Sequence, residues 1–313
     1  MDRHAFLLAS AALAASSPLP AAAQIRQSLS IVTVANDPNM GPFYAKDQGF
    51  FERAGLDATI SLMNNGSVVL SAVTSGSVSI GASNVLSLVV AFKKGVPFVL
   101  VAPGGLYNKT SPALAVIVPK TSPVASAKDL EGKVIATNPL RSLGDLSVDA
   151  WMDKNGADSS KARFIELPFS EMETALVQGR VAAAALGEPY ITQAGGTCRV
   201  LAYPYSAIAP QFMTSAFFTS AAFAKEHPDA IERFAAAMRT TAIWANKNQK
   251  KSGHILASVT KLDPKVIAEM SRVAYGETLA PALLQPTIDF AVSRKMIDAG
   301  FAAADMIFRS SGG

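Results

Sequence analysis

The chain has 313 residues, half of them hydrophobic, and a formal net charge of +4. Its basic residues are scattered and are not interleaved with aromatic residues, so the composition gives no indication of a nucleic-acid partner. Its single cysteine, Cys198, excludes an internal disulfide, and a hydrophobic core must therefore hold the fold together.

The first 23 residues predict a secretory signal peptide. Arg3 and His4 give a weakly basic start, residues 5–15 are apolar but too few to span a bilayer, and Ala21-Ala22-Ala23 has the form of an A-x-A cleavage site. A buried N-terminal helix is the alternative interpretation. No cysteine stands at the cleavage point and no later stretch is a membrane span. We therefore expect a periplasmic protein that is neither a lipoprotein nor inserted in the membrane.

The chain from residue 28 to about 103 alternates between strands and helices. The predicted elements are strand 28–35, helix 42–54, strand 57–63, helix 67–74, strand 79–82, helix 84–93 and strand 96–102. Such alternation predicts a mostly parallel sheet with helices on both faces. The turn from Asn36 to Tyr44 is central to this unit, and we expect it to form one wall of a small-molecule site. A strand that leads directly into a helix points free backbone N–H groups at whatever lies beyond the strand.

A second alternating unit follows the break at Pro103-Gly104-Gly105. Its predicted elements are strands 113–118, 134–137, 163–167, 181–186 and 199–202, with helices 145–155, 170–178 and 190–194. Ser170 and Glu173 have the spacing of a capping box at the start of a helix. The unit is therefore predicted to form a second α/β sheet.

The last third of the chain is predicted to be helical after one strand. Strand 212–219 could return to the first unit, and helices 221–225, 228–248, 252–259, 264–274 and 281–299 follow without a sheet of their own. The chain crosses between the units near 103–112 and again near 203–215. We therefore predict lobe 1 from 24–104 and 214–313, lobe 2 from 105–213, and a two-strand hinge that lets the lobes close on a ligand.

A series of short motifs, in their order and spacing, resembles a known family. The motifs are Gly41-Pro42-Phe43-Tyr44-Ala45, residues 49–56, Gly66-Ser67, residues 73–81, 129–133 and 175–181, and Glu188-Pro189-Tyr190. They resemble periplasmic solute-binding proteins of the nitrate/taurine/alkanesulfonate (NitT/TauT) type, which are related to binders of a thiamine pyrimidine precursor. Ser79 stands where many members carry Asp.

The resemblance implies a fold and partners. It implies a two-lobed, type II-like periplasmic binding protein fold, α/β, with two mixed, mostly parallel sheets flanked by helices. It also implies that the partners are a small-molecule solute and the permease and ATPase subunits of an ABC importer.

The candidate site is a ring of turns, since ligands of open α/β sheets bind beyond the carboxyl ends of the strands. The first lobe is predicted to contribute Asn39, Met40, Gly41, Phe43, Gly66, Ser67, Ser83 and Asn84. The second lobe is predicted to contribute Asn138, Arg141, Ser142, Leu143, Gly144, Glu188 and Tyr190.

Several candidates also have a purely structural interpretation. The side chains of Ser67 and Ser83 could serve only as caps of their own helices. Arg141 could hold a carboxylate, sulfonate or phosphate through a bidentate fork, or lie in solvent on the rim. Glu188 could accept from an amino group of the ligand or cap the helix that it precedes. Aromatic side chains such as Tyr190 could stack on a flat ligand or pack in the core.

Enzyme motifs are absent from the sequence. Beyond residue 23 the histidines are His227 and His254, and no metalloprotease, nucleophile-elbow, phosphate-loop or dinucleotide-binding motif occurs. No catalytic residue, metal or cofactor is expected. One relative of the fold makes a thiamine pyrimidine with a cysteine-rich segment, and the lone Cys198 argues against that activity.

The sequence thus predicts a monomeric periplasmic receptor that delivers a small organic solute to an ABC importer. The first ligand class is a small anion such as a sulfonate, taurine or nitrate, and the alternative is a flat aromatic or pyrimidine-like ligand. A secreted solute sensor of the same fold and a secreted enzyme are the other hypotheses.

Overall fold

The computed structural model describes residues 26–63 and 66–309 of the chain. The predicted signal peptide, residues 1–23, lies outside the described residues. Within the described part, no helix combines the length and the apolar character needed to cross a lipid bilayer.

The described chain alternates between strands and helices through both units. The strands are β1 (Gln27–Thr33), β2 (Leu56–Leu62), β3 (Ile80–Asn84), β4 (Phe98–Pro103), β5 (Gly105–Tyr107), β6 (Leu114–Pro119), β7 (Val134–Thr137), β8 (Arg163–Glu166), β9 (Ala183–Gly187), β10 (Cys198–Ala202), β11 (Phe212–Met213), β12 (Ser215–Ser220) and β13 (Ala274–Tyr275). The α-helices are α1 (Gly41–Asp47), α2 (Phe50–Arg53), α3 (Gly66–Thr74), α4 (Val85–Lys93), α5 (Leu143–Lys154), α6 (Phe169–Val177), α7 (Tyr190–Gln193), α8 (Ala221–Glu226), α9 (Pro228–Lys247), α10 (Gln249–Thr260), α11 (Pro264–Glu269) and α12 (Pro281–Ser293).

The strands form two five-stranded sheets that share one plan. The first has the order β2-β1-β3-β12-β4 and the second the order β10-β6-β9-β7-β8. In the first sheet β12 runs against the other strands, and in the second sheet β6 does. Both sheets are therefore mixed but mostly parallel, which confirms the predicted fold class. We call the parts built on these sheets the first lobe and the second lobe.

A small third sheet, in the order β11-β5-β13, joins the lobes. Strand β5 follows β4 and leads into the second lobe, and β11 leads back to β12. The two predicted crossings thus lie side by side as antiparallel strands. Strand β13 adds to the other edge of β5, so the predicted helix 264–274 was wrong at its end, where α11 stops at Glu269 and Ala274 begins β13. The limits predicted for the two lobes stay a prediction.

Two details of the predicted helices were also wrong. Helix 42–54 is two helices, α1 and α2, because Gly49 between them has φ +67°, a left-handed conformation that glycine tolerates best. The predicted capping box on α6 does not form. That helix begins at Phe169, its N-cap Pro168 makes no side-chain cap, and the carboxylate of Glu173 accepts from Thr197 Oγ at 2.8 Å instead.

Aromatic packing fixes the C-terminal helices against the first sheet. Phe51 stacks on Phe234 of α9 with 5.8 Å between the ring centroids, and Phe217 of β12 meets Phe234 edge-on at 6.0 Å. All three side chains are buried. The inference that the helical part packs back onto the first unit is therefore confirmed.

Candidate ligand-binding site

A cavity of about 70 Å³ lies between the two lobes, where strands of both sheets end. Its first-lobe lining consists of Asn36, Pro38, Asn39, Asn84, Thr214 and Ser215. Its second-lobe lining consists of Ala113, Leu114, Asn138, Ser142, Leu143, Gly144, Phe169, Ala185, Gly187 and Tyr205. The location matches the crevice where open α/β sheets bind ligands.

The lining of this cavity is polar but uncharged. It presents four asparagine amides, three Ser or Thr hydroxyls and the rings of Phe169 and Tyr205, and none of its residues is Asp, Glu, Lys or Arg. The lining residues Asn84 and Ser142 are the N-cap residues of helices α4 and α5. Because the N-terminus of a helix carries partial positive charge and free N–H groups, it can stabilise an anion without a cationic side chain.

The two cap residues also lie on the cavity wall. Asn84 Oδ1 accepts from the N–H of Ser87 at 2.9 Å, and its Nδ2 donates to Ser87 Oγ at 2.9 Å. Ser142 Oγ accepts from the N–H of Gly144 at 3.3 Å, and the Asp145 carboxylate accepts from the N–H of Ser142 at 2.7 Å. These side chains therefore cap their helices and line the cavity as well.

Two buried polar atoms beside the cavity have no hydrogen-bond partner among the described residues. They are Asn39 Oδ1 and Thr137 Oγ1. Asn39 lines the cavity and donates from Nδ2 to Asn36 Oδ1 at 2.6 Å, whereas Thr137 directly precedes the lining residue Asn138. A buried polar atom left unpaired costs about 1–3 kcal/mol, so both atoms are candidates to pair with a bound molecule or water.

Three predicted residues at the start of α1 lie away from the cavity lining. Met40 is fully buried in a hydrophobic cluster with α10. Gly41 packs so closely on α9 that an added Cβ would lie 2.6 Å from the terminal methyl of Met238. Phe43 faces an open surface groove of about 600 Å³ that His254 also lines. The first turns of α1 thus belong to the core and the outer surface.

The predicted residues around α3 form a packing contact instead of a wall. Ser83 is buried and its hydroxyl donates to the carbonyl of Gly66 at 3.4 Å. A Cβ on Gly66 would lie 2.4 Å from Ser83 Oγ, which explains the need for glycine there. Ser67 is exposed and its carbonyl accepts from the hydroxyl of Ser71 at 3.2 Å.

Arg141 stands on the rim rather than in the cavity lining. Its backbone is left-handed, with φ +53°, and its N–H donates to the Asp145 carboxylate at 2.7 Å. The exposed guanidinium contacts Met296 Sδ of the first lobe at 3.3 Å. The structure therefore places Arg141 at the rim between the two lobes, and its role in ligand binding stays a prediction.

Glu188 and Tyr190 contact the first lobe directly. Glu188 is buried and caps α7, since its carboxylate accepts from the N–H of Thr192 at 3.1 Å and from its hydroxyl at 2.9 Å. Burial raises the pKa of the Glu188 carboxyl. Tyr190 stacks on Phe169 at 5.7 Å and donates from its hydroxyl to the carbonyl of Ala35 at 3.2 Å.

Sequence reasoning missed a buried ion pair behind the first wall. Asp37 is fully buried, and its carboxylate accepts from Arg272 Nη2 at 2.9 Å and Nε at 3.0 Å. Burial alone would lower the pKa of the Arg272 guanidinium, but the charge of Asp37, its hydrogen bonds to Arg272 and the nearby Tyr44 and Tyr275 together outweigh burial and raise that pKa. The partners are 235 residues apart, so no local pattern could reveal the pair.

Ten lining residues were not named as candidates, although two of them, Asn36 and Pro38, lie in the turn that was predicted to form a wall. Gly187, Thr214 and Ser215 lie at or next to strand ends, and this position was the one signal that could have indicated them. Among the described residues, no group of three or more His, Cys, Asp or Glu side chains is arranged to hold a metal ion.

Comparisons with known proteins agree with this fold. The family described as "NMT1/THI5 like" matches residues 37–252, whereas no curated protein matches the sequence. The periplasmic aliphatic sulphonate binding protein SsuA from Escherichia coli shares 20% identity and a TM-score of 0.71, over 91% of this chain and 93% of that one.

Two further solved structures share the fold. The alkanesulfonate-binding protein SsuA from Xanthomonas axonopodis pv. citri, bound to MOPS, has 20% identity and a TM-score of 0.74, over 90% of this chain and 98% of that one. The periplasmic nitrate-binding protein NrtA from Synechocystis PCC 6803 has 13% identity and a TM-score of 0.76, over 91% of this chain and 86% of that one. The periplasmic binding protein fold is thereby shown.

Proposed function

Because the chain belongs to the NMT1/THI5 like family, we propose that it is an extracytoplasmic receptor that delivers a small organic solute to an ABC importer. The observation that carries the proposal is the cavity between the lobes, which both sheets line at their strand ends. Its position between two lobes joined by paired hinge strands supports binding by closure.

The size and chemistry of the cavity support a small solute. A volume of about 70 Å³ has room for a few water-sized groups. The helix ends at Asn84 and Ser142 support an anionic headgroup such as a sulfonate, and structural neighbours include proteins named for binding sulphonate and nitrate. We therefore propose a small organic anion as the first candidate for the ligand.

A flat aromatic or pyrimidine-like ligand is the second candidate. The uncharged lining supports it, because four asparagine amides can pair with ring nitrogens and the rings of Phe169 and Tyr205 can pack on a flat molecule. Because such a ligand is neutral, it would need no charged side chain in the cavity lining.

A thermal-shift screen of the chain from Gln24 tests the proposal with sulfonates, taurine, nitrate, pyrimidines and aromatic acids. A ligand at 100 times its Kd stabilises the folded state by about 2.7 kcal/mol, which raises Tm by several degrees in a chain of this size. Loss of uptake of the same solute after gene deletion would support import rather than sensing. Absence of any shift across the screen would contradict the proposed ligand classes.

The variant Asn84→Asp separates the two ligand classes. Aspartate keeps the cap of α4 but adds a negative charge to the cavity wall, so an anionic ligand should lose about 100-fold or more in affinity, equivalent to about 2.7 kcal/mol. A neutral ligand should lose much less. The matched control is Asn155→Asp, which makes the same change of charge at an exposed residue outside the cavity.

A further inference from the structure

Residues 271–276 run along the hinge, and we call this segment the strap. The strap holds the first cavity wall through Asp37. The guanidinium of Arg272 and the N–H of Val273, at 2.8 Å, both donate to the Asp37 carboxylate, and so does the hydroxyl of Tyr275 at 3.1 Å. The side chain of Arg272 is only 7% exposed. Because Pro38 and Asn39 of the same turn line the cavity, the strap fixes the position of that wall.

The strap is also tied to the hinge strands. Tyr275 of β13 pairs with Gly105 of β5, and the N–H of Gly276 donates to the carbonyl of Gly104 at 2.9 Å. The N–H of Ala274 donates to Ser111 Oγ at 3.0 Å. The wall and the hinge are therefore parts of one bonded unit.

The second lobe meets this unit through Glu188. The carboxylate of Glu188 accepts from the N–H of Ser271 at 3.3 Å, and its backbone carbonyl accepts from the N–H of Asp37 at 3.2 Å. These two donors lie on either side of the ion pair, one next to Arg272 and the other on Asp37 itself. The contact spans the cleft, so its geometry exists only when the lobes are together.

We infer that Asp37 and Arg272 are positioning residues for ligand binding. The pair holds the cavity wall and presents the two N–H groups that receive Glu188 when the lobes close. Ligand affinity then depends on two side chains outside the cavity lining, because the free energy of closure is part of the free energy of binding. The inference about affinity rests on the proposed function, whereas the inference about closure does not.

The test uses the double variant Asp37→Asn/Arg272→Met in the chain from Gln24. The single variant Arg272→Met would leave a buried unpaired charge and could fail to fold. The double variant removes both charges, and the amide oxygen introduced at position 37 can still accept from the N–H of Val273. The matched control is Arg199→Met in the second lobe, which removes an arginine that donates to the backbone carbonyls of Ser122 and Val124 away from the cleft.

Three measurements decide the outcome. Hydrogen exchange without ligand should show at least tenfold faster exchange at the N–H groups of residues 37 and 271 in the double variant, and X-ray scattering should show a larger radius of gyration. Calorimetry with methanesulfonate and nitrate should show at least tenfold weaker binding of whichever anion the wild type binds. The control should match the wild type in amide exchange at residues 37 and 271, in radius of gyration and in affinity, even if its free energy of unfolding is lower.

Two results would overturn the inference. One is a folded double variant with wild-type exchange at residues 37 and 271, and the other is a double variant with wild-type affinity. If Arg199→Met lost as much exchange protection and ligand affinity as the double variant, the pair would contribute only to general stability. If the wild type binds none of the probes, the proposed ligand class fails, and the exchange and scattering results still judge the role of the pair in closure.

Discussion

The two walls of the cavity are built on the same plan but held in place differently. Each wall is a turn that follows a strand, and each is backed by a buried aspartate, Asp37 in the first lobe and Asp145 in the second. Asp37 is held by an arginine 235 residues away. Asp145 is held by the backbone N–H groups of Arg141 and Ser142, within four residues of itself.

The difference has a physical consequence for each wall. A carboxylate that pairs with a distant arginine keeps its place only when the whole first lobe has formed. A carboxylate that caps its own helix needs only that helix, and burial of Asp145 raises its pKa although the backbone hydrogen bonds act in the opposite direction. The second wall is therefore encoded locally, whereas the first wall depends on the C-terminal strap.

The largest expected effect is on the first wall. Arg272→Met should lower the free energy of unfolding by about 3–5 kcal/mol, because it leaves the buried carboxylate of Asp37 without its partner. Urea unfolding measures the loss. Asp37→Asn/Arg272→Met should regain part of it, since neither charge remains. A single variant as stable as the wild type would show that Asp37 does not depend on Arg272.

A pH dependence is expected from the second wall. Asp149 lies one turn after Asp145 on α5, and burial together with the charge of Asp145 raises its pKa to about 7, against the opposing charge of Arg294. The folded chain then keeps a proton that the unfolded chain releases near pH 4. The free energy of unfolding should therefore fall as pH rises from about 4 to 7.

Asp149→Asn tests this pH dependence. The variant should unfold with a flatter pH profile between about pH 4 and 7. It should also be more stable than the wild type at pH 8, where the wild type buries a charged carboxylate and the variant a neutral amide. Urea titrations at pH 5 and pH 8 measure both effects. Parallel profiles for the two proteins would show that Asp149 ionises normally in the folded state.

A smaller effect is expected for the local cap. Ser142→Ala should lower the free energy of unfolding by about 1 kcal/mol, since it removes the N-cap of α5 and leaves the Asp145 contacts in place. Urea unfolding again measures it, and a loss as large as that of Arg272→Met would remove the contrast between the walls. Ser147→Ala, on the same helix and outside the cavity lining, is the control.

The smallest effect is expected at the rim. Arg141→Ala should change the affinity for an anionic ligand by no more than about twofold, because an exposed guanidinium contributes little and this one contacts Met296. Calorimetry measures the affinity. A tenfold loss would show that Arg141 reaches the ligand through the bidentate fork.

The sequence allowed prediction of the fold and of part of the cavity. Alternating strands and helices led to the two sheets, and the turns after strands led to Asn39, Asn84, Asn138, Ser142, Leu143 and Gly144, all of which line the cavity. The same reasoning could not separate these from neighbours such as Met40 and Gly41. A turn fixes which residues are near the strand end, but helix packing decides which of them face inward.

By itself, the sequence determined features that arise within a few residues, above all the alternation of strands and helices and the turns that follow the strands. Only the tertiary structure decided the pairing of Asp37 with Arg272, the third strand of the hinge sheet and the contact of Glu188 with the strap. These contacts join residues far apart in the chain. Which residues meet depends on how the helices and strands pack, and a local sequence pattern contains no information about that packing.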